Sequence, residues 1–164
     1  MTPRDKPLTI VGPPGVEETV KAVTRAGFPS VFSDQRYELR WVEVDDGRDG
    51  EAAGAGYVAR RVIHADGMMC YGYRAEIEGR TLAYSGDTVM CDALLPLAQG
   101  ADAFVVECSC WDTSCGPHLS PGDIEQLRRQ IDPSTRFVLT HMDSGRGPFA
   151  DDLLLADDLK TIRL

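Results

Sequence analysis

The sequence has no long apolar run. Nothing in it approaches the roughly 18 consecutive apolar residues from which a membrane-spanning helix is built. The amino-terminal stretch Met1–Lys6 also lacks the apolar core of a secretory signal. The sequence therefore predicts a cytoplasmic protein with no membrane segment.

Basic residues are in the minority. Lys and Arg number 17 against 26 Asp and Glu, which gives a formal net charge of −9 and a pI near 4.7. Such a field repels a phosphate backbone, so a long nucleic acid would need a local basic patch in order to bind. The nearest basic pair, Arg128-Arg129, lies in a predicted helix and is expected to be its solvated face. We therefore expect long nucleic acids to be poor partners.

Histidine is scarce, with three in 164 residues, and cysteine occurs five times. An odd number of cysteines cannot all pair within one chain. Because no secretory signal precedes them, reduced thiols are expected. The histidines are His64, His118 and His141, and the cysteines are Cys70, Cys91, Cys108, Cys110 and Cys115.

Alternating strand and helix patterns predict an α/β structure in a single domain, residues 1–164. A strand at Leu8–Val11 leads through a Gly-Pro turn into a helix that ends near Gly27. Alternation of polar and apolar residues predicts a half-buried strand at Tyr37–Val44, and the Gly- and Asp-rich stretch Asp45–Gly56 predicts a loop. Further strands are predicted at 57–64, 70–77, 81–84, 103–107, 136–140 and 159–164, with helices near 90–99 and after the N-cap Ser120.

Polar residues stand where predicted strands end. Asp87 and His141 each follow a strand closely, and Glu107 is the last residue of another. In open α/β sheets the ligand site lies outside the carboxyl ends of the strands. A lone histidine is most often structural, but histidines together with Asp87 form a donor set that suits zinc. The pattern therefore indicates a metal site.

The order and spacing of several short motifs resemble the ribonuclease Z branch of the metallo-β-lactamase superfamily. The similarity spans nearly the whole chain, and the signal comes from the set of motifs together. The motifs are Leu8–Gly15, His64 followed by Tyr71-Gly72-Tyr73-Arg74, Ala83–Thr88, Asp102–Glu107, His118-Leu119-Ser120-Pro121 and Phe137–His141.

This resemblance implies a metallo-β-lactamase-type αββα sandwich with a mixed sheet. It also implies a metal-dependent hydrolase, in particular a phosphodiesterase that uses a metal-activated hydroxide. It implies two zinc ions, although Mn²⁺ or Fe²⁺ would also suit the ligands. His64 and His141 would each bind one metal, and Asp87 would bridge both. His118 would be the proton donor to the leaving group, oriented by Glu107.

One departure from the family is the absence of its His-x-His-x-Asp-His motif, which supplies four metal ligands. Two ligands per metal would remain, fewer than a catalytic zinc normally has. We therefore expect an incomplete domain, impaired catalysis by the isolated chain, and an open sheet edge that could support a homodimer. The short separation of His64 from Asp87 leaves no room for the basic arm of transfer-RNA-processing members. A small phosphodiester or ester is the expected substrate.

Three alternatives remain open at this level. The chain could be a non-catalytic binding or dimerisation domain derived from such a hydrolase. Cys108, Cys110, Cys115 and His118 could form a structural zinc site, although their spacing matches no common zinc module. The segment Gly12–Gly15 could be a phosphate loop, but it lacks the lysine and the glycine spacing of that motif, so a plain turn is preferred.

Overall fold

The computed structural model describes residues 4–32, 36–110, 116–142 and 152–163. These residues form two compact units, one ending at Asp45 and one beginning at Asp46. The prediction of a single domain stays a prediction. None of the described helices is long and apolar enough to cross a membrane.

In the first unit, strand β1 (Leu8–Gly12) pairs in parallel with β2 (Leu39–Glu43), and helix α1 (Val16–Gly27) connects them. Gly15 is the N-cap of α1 in a left-handed conformation (φ 82°), which glycine adopts without steric cost. Its backbone N–H donates to the Glu43 carboxylate at 2.8 Å. Because an acidic side chain of this unit already binds that amide, the structure favours the turn interpretation over a phosphate loop.

The second unit contains a seven-stranded sheet with the strand order β3-β4-β5-β6-β7-β8-β9. The strands from β3 to β6 are antiparallel neighbours, and those from β6 to β9 are parallel. This is the mixed sheet that the resemblance implied. The strands are Asp49–Ala52, Ala55–Val62, Cys70–Ile77, Arg80–Tyr84, Ala103–Glu107, Arg136–Thr140 and Leu154–Leu155, in order from β3 to β9.

Two short helices, α2 (Leu94–Ala98) and α3 (Pro121–Arg128), contribute buried residues to the core of this unit. Pro96 lies in the first turn of α2, where its missing N–H costs no helical hydrogen bond. The interior strand β7 is almost wholly buried, as expected of a parallel strand covered on both faces. The core cluster of this unit includes Leu94, Leu97, Phe104, Val106, Leu119, Ile124, Leu127, Ile131 and Leu139.

Two sequence predictions were wrong. The stretch predicted as a loop, 45–56, contains β3 and the start of β4, joined through Ala53 and Gly54 at positive φ. Gly50 lies opposite Tyr57 in the hairpin, and the Tyr57 ring packs in the space that a side chain at position 50 would fill. The glycine at this position is therefore compatible with the strand. The tail predicted as a strand at 159–164 has no strand among its described residues, and the sheet instead ends with Leu154–Leu155.

The expectation of reduced thiols throughout was also wrong. Cys110 is disulfide-bonded, whereas Cys70, Cys91 and Cys108 have free thiols. The prediction rested only on the missing secretory signal and the odd number of cysteines, and neither shows which sulfur atoms lie close together in the fold. Cys115 lies outside the described residues.

Candidate metal centre

The site lies at the carboxyl ends of three neighbouring parallel strands. Asp87 follows β6 by three residues, Glu107 is the last residue of β7, and His141 comes directly after β8. Since these strands are parallel neighbours, their carboxyl ends meet at the same edge of the sheet. The structure thus brings Asp87, Glu107 and His141 to one edge of the sheet, where the sequence placed them, and their roles stay predictions.

Asp87, His118 and His141 together form a group that could hold a cation. One ligand atom from each lies within 4.8 Å of the others. His141 Nε2 is 3.7 Å from Asp87 Oδ2, longer than a hydrogen bond, and the rings of His118 and His141 have centroids 5.1 Å apart. Two imidazole nitrogens and a carboxylate oxygen are a common donor set for zinc. The residues present therefore fit a divalent metal.

A capping box fixes the segment that presents His118. The Ser120 hydroxyl accepts from the Asp123 backbone N–H, and the Asp123 carboxylate accepts from the Ser120 backbone N–H at 2.8 Å. Leu119, between the histidine and the cap, is fully buried. These local features hold the chain on the carboxyl side of His118, three residues before the start of α3.

Glu107 orients the His118 ring. Its Oε1 accepts from His118 Nδ1 at 2.9 Å, from the Thr88 backbone N–H at 3.0 Å and from the Leu119 backbone N–H at 3.2 Å. Its Oε2 accepts from Ser109. A carboxylate that receives several donors favours the hydrogen on His118 Nδ1, which leaves Nε2 with a free lone pair. That nitrogen is then available to a cation or to a proton.

His64 stands beside this group without belonging to it. Its ring centroid is 4.9 Å from that of His118, and its Nδ1 lies 3.1 Å from the Pro117 carbonyl oxygen. A carbonyl can only accept, so Nδ1 has the hydrogen and Nε2 has the lone pair. The role of His64 as a metal ligand stays a prediction.

The backbone of His141 is in a rarely occupied conformation. Its φ is 52°, in the left-handed region, which costs a non-glycine residue roughly 1–2 kcal/mol. Its side chain is half exposed. Such a conformation directly after a strand turns the chain sharply at the sheet edge, and backbone strain of this kind concentrates at functional sites.

The sequence did not indicate two features of the site. It assigned His118 to proton transfer and gave no sign that its ring lies within ligand distance of Asp87 and His141. It also gave no role to Thr88, which is fully buried and bonds to the backbone next to His64. Only the position of Thr88 directly after Asp87 could have pointed to it.

The structural zinc site considered from the sequence is disfavoured. Burial, and secondarily the charge of Glu107, raises the pKa of the Cys108 thiol to about 12, so the thiolate that zinc requires is disfavoured there. The Cys110 sulfur is already engaged in a disulfide. His118, the fourth member of that proposed site, is held by Glu107 instead.

A cleft of about 560 Å³ lies at the other end of β8, away from His141. Its charged lining balances, because three arginines face three acids. It therefore shows no preference for an ionic ligand of either sign. The charged residues are Arg128, Arg129, Arg136, Glu125, Asp132 and Asp152.

A family model described as a beta-lactamase superfamily domain matches residues 2–142. The chain belongs to that superfamily. The identification covers every candidate site residue, from His64 to His141. It also agrees with the mixed sheet, and it implies a divalent metal, for which the group of Asp87, His118 and His141 is a candidate site.

The chain is similar in sequence to ribonuclease Z proteins. It is 36% identical over 107 residues to ribonuclease Z of Mycobacterium tuberculosis (strain H37Ra), a match that covers 60% of this chain and 39% of that protein. The chain thus spans less than half of the length of the first curated relatives that it matches.

Two solved structures share the fold. Human tRNase Z, short form, superposes with a TM-score of 0.69 at 18% identity, covering 96% of this chain and 66% of that one. A diphosphatase from the PhnP family gives a TM-score of 0.69 at 18% identity, covering 93% and 56%. The metallo-β-lactamase fold predicted from the sequence is confirmed.

Proposed function

We propose that this superfamily member is a divalent-metal-dependent hydrolase of phosphodiesters. The main support is the convergence of Asp87, His118 and His141 at one edge of the sheet, with donor atoms within 4.8 Å of one another. The ribonuclease and diphosphatase names of its relatives and fold neighbours agree with this chemistry.

We propose zinc as the metal, with Asp87 and His141 as ligands and His64 as a further one. Zinc fits because imidazole nitrogens dominate the donor set. A bound divalent cation supplies Lewis-acid polarisation of a phosphoryl oxygen. Asp87 Oδ2 lies 3.7 Å from His141 Nε2, so one cation could contact both side chains. The resemblance gives this carboxylate the bridging role.

His118 is proposed to transfer the proton to the leaving group. The His118 Nδ1 is hydrogen-bonded to Glu107, so that Nε2 is the ring nitrogen left to give or take a proton beside Asp87 and His141. The same Nε2 could instead bind a metal, because His118 belongs to the three-residue group. A His118→Ala variant separates the roles: a proton donor alters turnover at unchanged metal affinity, whereas a ligand alters both.

The substrate remains a phosphodiester of undetermined size. The net charge of −9 supports a small molecule. The names of the relatives conflict with the expectation that a long nucleic acid is a poor substrate, because they are ribonucleases. Cleavage of a transfer-RNA precursor, compared with bis(p-nitrophenyl) phosphate, decides between the two, and RNA cleavage without turnover of the small ester would reject the small-substrate proposal.

The decisive experiment is zinc titration by calorimetry on the demetallated chain, together with phosphodiesterase assays. Asp87→Asn should weaken zinc binding by at least about tenfold. Asp49→Asn is the matched control, since Asp49 is exposed in the edge strand β3. Wild-type protein that binds no zinc, or Asp87→Asn protein that binds it unchanged, rules out the proposed centre.

The alternative is a non-catalytic binding or dimerisation domain derived from such a hydrolase. It is favoured by the size of the donor set, because among the described residues only Asp87, His118 and His141 come together as possible ligands, which is few for two metals. Zinc binding without turnover of either substrate, together with a dimer in sedimentation analysis, supports this alternative.

A further inference from the structure

Thr88 sits at the centre of the hydrogen bonds behind the site, although it is not one of the predicted site residues. It is fully buried and directly follows Asp87. Its hydroxyl bonds toward the segment before His64, and its backbone N–H bonds toward Glu107. One residue thus contacts the chain segment that presents His64 and the carboxylate that orients His118.

The hydroxyl of Thr88 contacts both backbone groups of Ile63. Thr88 Oγ1 accepts from the Ile63 N–H at 3.3 Å, and its one hydrogen has two carbonyl oxygens within reach, that of Val89 at 2.8 Å and that of Ile63 at 3.0 Å. The Val89 N–H also donates to the Ile63 carbonyl, at 2.8 Å. Ile63 lies just past the end of β4 and immediately before His64. These contacts therefore set where the chain enters His64.

The backbone N–H of Thr88 serves the other histidine. It donates to Glu107 Oε1 at 3.0 Å, and the same oxygen accepts from His118 Nδ1 at 2.9 Å. Replacing the Thr88 side chain leaves this N–H in place. The two contacts of Thr88 can therefore be separated by mutation, because only the one toward Ile63 depends on the hydroxyl.

Burial makes the hydroxyl hard to replace. No surface of Thr88 is exposed, so water does not easily take the place of its hydroxyl, although the Ile63 side chain itself is exposed. The Ile63 carbonyl keeps its bond from the Val89 N–H, whereas the Ile63 N–H loses its acceptor. The chain then relaxes at Ile63, and the adjacent imidazole moves with it.

We infer that Thr88 is a positioning residue whose hydroxyl sets the place of His64 relative to His118. As a matter of function this inference rests on the proposed hydrolase, in which His64 is a metal ligand. As a matter of geometry it can be tested without metal or substrate.

The test is ¹⁵N NMR of the histidine side chains in the metal-free full chain, where three histidines give a simple spectrum. Thr88→Val removes the hydroxyl with little change of shape and should shift the His64 ring signals while those of His118 stay in place. Amide exchange of Ile63 should become roughly tenfold faster, because its hydrogen bond is lost. Thr88→Ser, which keeps a hydroxyl, should restore both.

Thr135→Val is the matched control. Thr135 is also buried, at 6% exposure, but its Oγ1 has no hydrogen-bond partner in the described part of the chain. Loss of that hydroxyl should leave His64 and Ile63 unchanged. Unshifted His64 signals in Thr88→Val, or equal shifts in Thr135→Val, overturn the inference.

Two further measurements keep the result unambiguous. If Thr88→Val does not fold, amide exchange of Ile63 decides: protection in both the wild type and Thr88→Ser supports the inference, and its absence in either overturns it. Zinc affinity in the folded Thr88→Val protein should fall about 10- to 100-fold. Wild-type protein that binds no zinc defeats the proposed function, but it leaves the NMR result on Thr88 standing.

Discussion

His118 Nδ1 lies 2.9 Å from Oε1 of Glu107, a carboxylate that is only 1% exposed. A buried carboxylate is costly unless donors surround it, and Glu107 meets this requirement with backbone N–H groups from three segments of the chain. Glu107 therefore both holds the loops of the site together and sets the tautomer of His118. This double role makes its replacement informative.

Glu107→Gln should destabilise the fold by about 1–3 kcal/mol. One carboxylate oxygen becomes an NH₂ group, which must then face either Ser109 or the donors of Thr88 and Leu119. Urea unfolding followed by circular dichroism measures the loss. Ser109→Ala is the control, since it removes only the 3.3 Å hydroxyl bond and should cost much less. Equal stability of the glutamine variant and the wild type would contradict the network.

Gly72→Ala should destabilise the second unit by about 1–3 kcal/mol through overpacking. A Cβ at this position in β5 would lie 2.8 Å from the Tyr84 carbonyl oxygen and 3.0 Å from that of Ser85, just before Asp87. These backbone carbonyl groups cannot rotate away from the added Cβ, as the end of a flexible side chain could. Gly56→Ala in the adjacent strand β4 meets nothing within 4 Å and should be nearly neutral. Comparison of the two unfolding free energies checks the prediction, and a cost for both or for neither contradicts it.

Local patterns predicted the parts of the fold that depend on local physics. The strands predicted at Cys70–Ile77 and Ala103–Glu107 have those bounds in the structure, and Ser120 caps α3 as predicted. Helix α2 is shorter than predicted, Leu94–Ala98 against 90–99. Propensity alone does not set where a helix begins when packing decides it.

The rest depended on contacts between distant residues. Glycines in 45–56 suggested a loop, but the Tyr57 ring packs over Gly50 and makes a hairpin of it. The positions of the predicted strand ends indicated where Asp87, Glu107 and His141 meet, because neighbouring parallel strands have their carboxyl ends at the same edge of the sheet. Nothing local showed that the loop before α3 brings His118 to Asp87, since that distance depends on the fold as a whole.

His141→Gly should be more stable than His141→Ala, by about 1 kcal/mol. Both lose the imidazole, so the difference reports only the backbone, which alanine must hold at the φ of 52° while glycine adopts it freely. Thermal unfolding of the two metal-free variants measures it. Glu78, in the turn between β5 and β6 at φ 51°, provides the comparison: Glu78→Gly and Glu78→Ala should differ by a similar amount in the same direction. A more stable alanine at position 141 would show that its backbone is not strained.

Cys108 should resist alkylation in the native protein. Burial raises its pKa to about 12, so at pH 9 only about one molecule in a thousand has the thiolate that reacts with iodoacetamide. Mass spectrometry after a timed reaction should find Cys108 unmodified until urea unfolds the chain, with Cys70 and Cys91, which are half-buried free thiols, modified earlier.

The same raised pKa fixes the sign of a pH effect on stability. Between the unfolded pKa near 8.5 and about 12 the native protein holds a proton on Cys108 that the unfolded chain releases, so the free energy of unfolding falls as pH rises through this window. Cys108→Ala lacks this group and should lose stability less steeply over the same range. Parallel urea titrations of both proteins from pH 8 to pH 10 measure the two slopes. Identical slopes would mean that the Cys108 thiol ionises as readily in the folded protein as in the unfolded chain.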